Sequence, residues 1–115
     1  ETSGTAFFAY GMAWGINNGY LLPCQFRPVV DKAWRYLSEV ALQPDGRVGY
    51  VQPIGERAIP GQHVDSLSQA DFGVGAFLLA ACEYYRYLQK NGKSSKTKKT
   101  FRPHAFVGVG AGVQF

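Results

Sequence analysis

Two places in this chain of 115 residues carry side chains suited to contacting a ligand. Thr2 and Ser3 lie where a helix is predicted to begin, and hydroxyl and backbone N–H groups at such a position bind carboxylates and hydroxyl groups. Tyr50, Gln52 and Asp65 lie in a long connection and add an aromatic ring, an amide and a carboxylate. These five residues are the candidates for substrate binding. The alternative roles are structural, with Thr2 or Ser3 as a helix N-cap and Tyr50 packing the connection onto the helices.

The residue inventory also argues against several other kinds of site. The two cysteines, Cys24 and Cys82, have no second Cys or His at ligand spacing, so we expect no metal site and no cofactor. The net charge is +4, yet residues 1–92 hold seven basic and eight acidic residues, a balance of −1. The excess positive charge belongs to residues 93–102, and we expect no nucleic-acid partner. No stretch has the roughly 18 uncharged apolar residues of a membrane span.

Three segments have the apolar spacing of helices. The first, from about Ser3 to Asn17, is apolar around its whole circumference and therefore needs neighbours on every side. The second, from about Cys24 to Ala41, is amphipathic. The third, from about Gln69 to Gln89, is again apolar nearly all round until Glu83. Alternation of buried, amphipathic and buried helices is typical of the inner and outer helices of an α/α barrel, so the predicted fold class is all-α.

The remaining segments are predicted to be loop or tail. The connection from Gln43 to Gln69 holds a Pro-Asp-Gly turn and a short β-favouring segment, Val48 to Gln52. Its length and its aromatic and polar content predict an ordered functional loop. Residues 1–90 thus form the helical part, and the basic residues 91–105 are predicted to be a flexible linker. Residues 106–115 alternate apolar residues with Gly, which predicts an irregular or strand-like tail of unknown role.

Several motifs, in order along residues 1–90, resemble those of one enzyme family. They are ETSGTAFFAYGMAWGINNG at 1–19, VVDKAW at 29–34, QPDG at 43–46, GYVQPIG at 49–55 and FGVGAFLLA at 72–80. This part of the chain is similar to the C-terminal quarter to third of the unsaturated rhamnogalacturonyl hydrolases, glycoside hydrolase family 105. That family is related to the unsaturated glucuronyl hydrolases of family 88, which share the fold with less similar motifs.

The resemblance implies a six-hairpin (α/α)6 barrel, of which this chain holds the last inner, outer and inner helices. It also implies an enzyme that removes a terminal unsaturated uronic acid from lyase-generated pectin (rhamnogalacturonan) oligosaccharides by hydrating the C4–C5 double bond. In such enzymes an aspartate protonates the double bond and activates water. We expect that aspartate upstream of Glu1, so the chain is expected to hold no catalytic residue and to be inactive alone. The implied partners are the unsaturated oligosaccharide and the missing upstream barrel helices.

Two other functions fit the same helices. A non-catalytic helical interaction module would pair its apolar faces with a partner chain. A fragment of another six-hairpin carbohydrate enzyme would act on different sugars. The resemblance implies a bacterial protein of the cytoplasm, or one that is periplasmic or secreted, and leaves the compartment open.

Overall fold

The protein, as a computed structural model, is described over residues 1–55 and 61–94. Within those ranges it forms three α-helices, α1 (Thr2–Asn17), α2 (Pro23–Tyr36) and α3 (Asp71–Ser94), and a π-helical turn, Leu37–Ala41, that continues α2. No strand forms in these ranges, where the sheet-like pairing is an isolated antiparallel bridge between Leu42 and Val48. The predicted all-α class is therefore confirmed, whereas the predicted β segment is reduced to a bridge.

The predicted N-cap of the first helix is wrong. Glu1 caps α1, because its carboxylate accepts hydrogen bonds from the backbone N–H groups of Ser3 at 3.0 Å and Gly4 at 2.8 Å. These N–H groups have no partner inside the helix, and a negative charge there is favoured by the helix dipole. Thr2 and Ser3 are thus helical residues of the first turn.

The direction of each helix follows from the contacts at its ends. Thr2, at the start of α1, and Gly73, in the first turn of α3, both contact the segment 49–51. At the other end Asn17 of α1 lies beside Glu83 of α3. The helices α1 and α3 therefore run in the same direction. The opposite direction of α2 follows from Tyr36 at its end, whose hydroxyl meets that of Thr2.

Small residues let α1 and α3 approach each other closely. Ala6 and Ala9 of α1 share one buried cluster with Ala76 and Ala80 of α3. Alanine keeps helix backbones near each other and also has the highest intrinsic helix propensity. The larger members of this cluster are Phe77 of α3, Leu37 of the π-helical turn, and Val48 and Val51 of the connection.

Aromatic side chains pack between α2 and α3. The ring of Trp34 stacks on Tyr84 with the ring centroids 4.9 Å apart and also contacts Phe77 at 5.7 Å. The Tyr84 hydroxyl donates a hydrogen bond to Asp31 Oδ1 at 3.1 Å. Burial, and then the nearby Asp31 charge, raises the pKa of the Tyr84 phenol, so the hydroxyl remains a donor.

A buried carboxylate fixes α1 against α3 at the end opposite the connection. The Glu83 side chain, only 3% exposed, accepts hydrogen bonds from Asn17 Nδ2 at 2.7 Å and from Arg86 Nη1 at 2.8 Å. The Lys90 ammonium contacts the Asn17 carbonyl oxygen. Because a buried charge is costly unless it is paired, these contacts select one register of the two helices.

The third helix is longer than predicted. It extends to Ser94, so the first four residues of the predicted linker are helical. The rest of that linker and the predicted tail, residues 95–115, lie outside the described part of the chain. Within the described ranges no helix is both long enough and apolar enough to cross a membrane.

Only one side of α1 is covered by the described residues, although its sequence is apolar all round. Phe8 is 72% exposed, and Trp14 is 43% exposed and stacks on Tyr20. Leu78 and Leu79 of α3 are exposed in the same way. Apolar patches of this kind mark surfaces that another element covers.

The exposed face of α1 predicts that the 115-residue chain self-associates. Phe8→Lys should lower the average mass in sedimentation velocity, because it places a charge in the apolar patch. Gln25→Lys is the matched control, since Gln25 is already exposed on the polar side of α2. A parent chain that sediments as a single monomer at all concentrations would contradict the expectation.

Two glycines of α3 should respond oppositely to alanine. A Cβ on Gly73 would lie 2.5 Å from Val51 Cγ2, and Val51 is itself buried, so Gly73→Ala should destabilise the fold by about 1–3 kcal/mol. Gly75 has no atom of the described residues within 4 Å of such a Cβ, so Gly75→Ala should stabilise the helix by about 1 kcal/mol. Urea unfolding of both variants, at a concentration where the chain is monomeric, measures the difference. Equal effects would show that the contact with Val51 is unimportant.

Candidate functional site

The candidate site lies where α1 and α3 begin and where the connection between α2 and α3 crosses them. The connection turns back on itself after the π-helical turn, since Gly49 N–H donates to the Ala41 carbonyl at 2.8 Å. Val51 N–H then donates to the Ser68 carbonyl at 2.9 Å. The segments 49–52 and 65–68 are thereby held side by side over the helix starts.

Thr2 is buried beneath the connection in this region. Its side chain is wholly buried, and its hydroxyl donates to the Gly49 carbonyl at 2.7 Å while also lying 3.0 Å from the Tyr36 hydroxyl. Its backbone N–H donates to the Tyr50 carbonyl at 3.0 Å. With no exposed surface, Thr2 does not contact a substrate in this conformation. Its predicted role as a ligand-binding residue is therefore corrected to a structural one.

Glu1 is the residue of this site that sequence reasoning missed. Its carboxylate Oε1 accepts from Gln52 N–H at 2.8 Å, in addition to the bonds from the first turn of α1. Burial acts to raise the pKa of this carboxyl group, but the hydrogen bonds from Gln52, Gly4 and Ser3 outweigh it and lower the pKa. Glu1 thus joins the connection to α1 and occupies the N–H groups that were predicted to bind a substrate carboxylate.

The two candidate polar side chains next to Glu1 remain accessible to a ligand. The Ser3 hydroxyl donates to the Glu1 carboxylate at 2.9 Å and is only partly buried. Gln52 uses its backbone N–H for Glu1, while its side chain is exposed. Both side chains are thus accessible at the same edge of the protein, and their binding of a ligand stays a prediction.

Tyr50 has an unusual backbone conformation. Its φ is 59°, in the left-handed region, which is uncommon for a residue other than glycine and costs about 1–3 kcal/mol. Hydrogen bonds on both sides hold it there, because Tyr50 N–H donates to the Asp65 carbonyl at 2.8 Å while the Tyr50 carbonyl accepts from Thr2. The side chain is partly exposed. Such strained residues occur often at functional sites.

Gly49 allows the two segments of the connection to approach each other. A Cβ at this position would lie 2.4 Å from the Ser66 carbonyl oxygen, so only glycine fits without moving the backbone. Ser66 contributes its main chain to this contact.

Asp65 organises the far side of the site. Its carboxylate accepts from Leu67 N–H at 2.9 Å, from the Ser68 hydroxyl at 3.2 Å and lies 2.9 Å from His63 Nε2. The Leu67 N–H bond, followed by the His63 contact, lowers the pKa of Asp65. The side-chain partners of Asp65 are thus Ser68 and His63.

The structure therefore brings Ser3, Tyr50, Gln52 and Asp65 to one end of the helices. Hydrogen bonds lower the pKa of the Glu1 and Asp65 carboxyl groups below the usual range, and both are ionised at neutral pH as ordinary carboxyl groups are. Ionised carboxylates accept hydrogen bonds from sugar hydroxyls but have no proton to donate. Among residues 1–55 and 61–94, no three His, Cys, Asp or Glu side chains lie close enough together to hold a metal ion.

Comparison with known proteins finds relatives along most of the described residues. A family model described as Glycosyl Hydrolase Family 88 matches residues 1–88. An unsaturated 3S-rhamnoglycuronyl hydrolase from Formosa agariphila is 43% identical over 83 residues, which are 72% of this chain and 21% of that protein. The resemblance seen in the sequence motifs is confirmed.

Two solved structures resemble this fold at high sequence identity. One, named a polysaccharide lyase, is 71% identical with a TM-score of 0.71. The match covers 77% of this chain and 25% of that protein. The other, named a glycosyl hydrolase family 88 protein from Bacteroides vulgatus, is 62% identical with a TM-score of 0.71. The match covers 76% of this chain and 25% of that protein. The chain thus spans about a fifth to a quarter of the length of these relatives.

The lowered pKa of Glu1 predicts a loss of stability in acid. A carboxyl group whose pKa is lower in the folded state contributes its full stabilisation above its unfolded pKa, about 4.3, and loses it as the pH falls through the folded value. Glu1→Gln should therefore lower Tm at pH 7, and its difference from the parent should close below about pH 4. Thermal melts between neutral and acid pH measure this. Glu39→Gln, at an exposed position of the π-helical turn, is the control, and a pH-independent deficit in Glu1→Gln would contradict the assignment.

Proposed function

Because this chain belongs to glycosyl hydrolase family 88, we propose that it supplies the last helices and a substrate-side loop of an enzyme acting on unsaturated oligosaccharides. The proposed reaction removes a terminal unsaturated uronic acid from lyase-generated rhamnogalacturonan fragments by hydration of the C4–C5 double bond. The proposed architecture is a six-hairpin (α/α)6 barrel completed by helices outside residues 1–115. The chain's length relative to its relatives supports a contribution of this size.

The single observation that carries this proposal is the convergence of Ser3, Tyr50, Gln52 and Asp65 at the end where α1 and α3 begin. Inner helices of an α/α barrel run in one direction and outer helices in the other, and α1, α2 and α3 have that arrangement. Loops at the open end of such a barrel can cover a ligand, and the connection occupies this position. The name of the Formosa agariphila relative, an unsaturated 3S-rhamnoglycuronyl hydrolase, supports an unsaturated uronic acid as substrate.

Each candidate residue has a proposed role in binding. The partly exposed ring of Tyr50 packs against the apolar face of a sugar, and the Gln52 amide hydrogen-bonds its hydroxyl groups. The Ser3 hydroxyl and the ionised Asp65 carboxylate bind further hydroxyl groups. Asp65 is held in place for this by Leu67 and Ser68.

The proposed chemical step belongs to an aspartate outside this chain. As a general acid it protonates the double bond, and as a general base it activates the water that adds to C5. The resulting hemiketal then opens and releases the remaining oligosaccharide. We do not assign this step to Glu1 or Asp65, because the carboxylates of both are already hydrogen-bonded to other groups of the protein.

A polysaccharide lyase is the second candidate, favoured by the name of the 71% identical structure. A lyase and an unsaturated uronyl hydrolase have opposite effects on the C4–C5 double bond. The lyase creates the C4–C5 double bond as it cuts the chain, whereas the hydrolase consumes it. Ultraviolet absorbance of the conjugated double bond therefore separates the two by the sign of the change.

We expect no turnover by the 115-residue chain alone. The protein from its complete reading frame should cause a loss of absorbance when it is incubated with an unsaturated rhamnogalacturonan disaccharide.

In that protein Gln52→Ala should raise KM up to about tenfold with a smaller effect on kcat, because it removes one hydrogen bond to the bound sugar. Gln25→Ala, which removes an exposed amide from the polar side of α2, should leave both constants unchanged.

Other outcomes would each contradict part of the proposal. Turnover restricted to an unsaturated rhamnoglycuronyl disaccharide would overturn the pectin substrate but keep the reaction. A rise in absorbance on intact polysaccharide would favour the lyase. Activity of residues 1–115 alone would overturn the placement of the catalytic aspartate.

A further inference from the structure

The partly buried hydroxyl pair of Thr2 and Tyr36 lies next to the strained residue of the candidate site. The two oxygens are 3.0 Å apart, one on the first turn of α1 and the other at the end of α2. Thr2 also donates to the Gly49 carbonyl at 2.7 Å, which is the residue immediately before Tyr50. Neither hydroxyl is needed to form its own helix, because both bonds join different elements.

Tyr50 depends on these neighbours for its conformation. Its left-handed φ of 59° is not favoured by the residue itself, so contacts on either side must maintain it. The bond from Thr2 N–H to the Tyr50 carbonyl lies on the helix side, and the bond from Tyr50 N–H to the Asp65 carbonyl lies on the loop side. Thr2 and Asp65 are therefore bonded to the backbone of the same residue, and the Thr2 hydroxyl adds a bond to Gly49 next to it.

The reversal of the backbone at Tyr50 determines where the ligand-binding side chains lie. After Tyr50, the Val51 N–H donates to the Ser68 carbonyl, and the Gln52 N–H donates to the Glu1 carboxylate. Asp65, bonded to Tyr50 by its carbonyl, presents its carboxylate beside His63. An extended Tyr50 would not allow both sets of contacts at once.

We propose that Thr2 and Tyr36 are positioning residues, which hold Tyr50 in the left-handed conformation and thereby place Tyr50, Gln52 and Asp65 for substrate binding. The effect on substrate binding rests on the proposed function. The effect on the conformation of Tyr50 does not, since it follows from the hydrogen bonds alone.

Amide hydrogen exchange tests the conformational part in the 115-residue chain. Thr2→Val removes the Thr2 hydroxyl bonds to Gly49 and Tyr36 and should accelerate exchange at the N–H groups of Tyr50 and Val51 by about tenfold. Tyr36→Phe removes only the bond between the two hydroxyls and should accelerate exchange at the same N–H groups to a smaller extent. The N–H of Ala80, in the centre of α3, should exchange at the parent rate. Thr2→Ser keeps the hydroxyl and should restore protection.

A matched control separates this role from a general loss of stability. Ser38→Ala removes another hydroxyl, which donates to the Trp34 carbonyl at 2.9 Å within its own helix, and it should leave Tyr50 and Val51 protected. Equal acceleration at Tyr50 and Ala80 in Tyr36→Phe would overturn the proposal, and so would unchanged exchange at Tyr50. If Thr2→Val does not fold, Tyr36→Phe decides.

The functional part is tested in the protein from the complete reading frame. Tyr36→Phe should raise KM for the unsaturated disaccharide several-fold with kcat nearly unchanged, because the loop binds substrate while the chemistry occurs elsewhere. A fall in kcat with constant KM would overturn the positioning role. If the parent protein shows no turnover, the proposed function fails, and the exchange measurements still decide whether Thr2 and Tyr36 hold Tyr50.

Discussion

The start of α1 beneath the segment 49–51 is the contact on which the arrangement of the described residues depends. Thr2 meets three elements there, since it belongs to α1, touches Tyr36 of α2 and bonds to the connection. Buried polar groups must find partners, so the burial of one hydroxyl fixes the relative positions of all three elements. Val51, set in place by this contact, then packs against Gly73 and fixes the start of α3.

The helices could be predicted from the sequence because their apolar residues recur with helical spacing over three or more turns. Their exact beginnings could not. Glu is not a preferred N-cap residue, whereas Thr and Ser are, so the pattern favoured the hydroxyl residues over Glu1. The end of α2 differs for another reason: burial of Leu37 and Ala41 fits the π-helical turn, and side-chain spacing alone does not distinguish that turn from an α-helix.

The candidate site was predicted in outline and differs in its contacts. Residue types identified Tyr50, Gln52 and Asp65 as exposed polar and aromatic groups of one connection. No local signal marks Tyr50 as left-handed, since that conformation is imposed by bonds to residues 48 positions before it and 15 after it. Burial of Thr2 is likewise a property of the assembled helices. An aspartate bonding to a nearby serine is a common turn pattern, and in this chain it selects Ser68.

The closure of the connection by the Tyr50–Asp65 backbone bond has an evolutionary consequence. The two residues are joined at 2.8 Å, so the chain between them begins and ends at the same place on the helices. Lengthening a loop whose ends are already held together adds little to its closure entropy, about 0.6 kcal/mol for each doubling. Insertions in this stretch that leave Val51 and Gln52 in place therefore cost little in closure entropy. The length of the connection can in this way vary while one helical framework is kept.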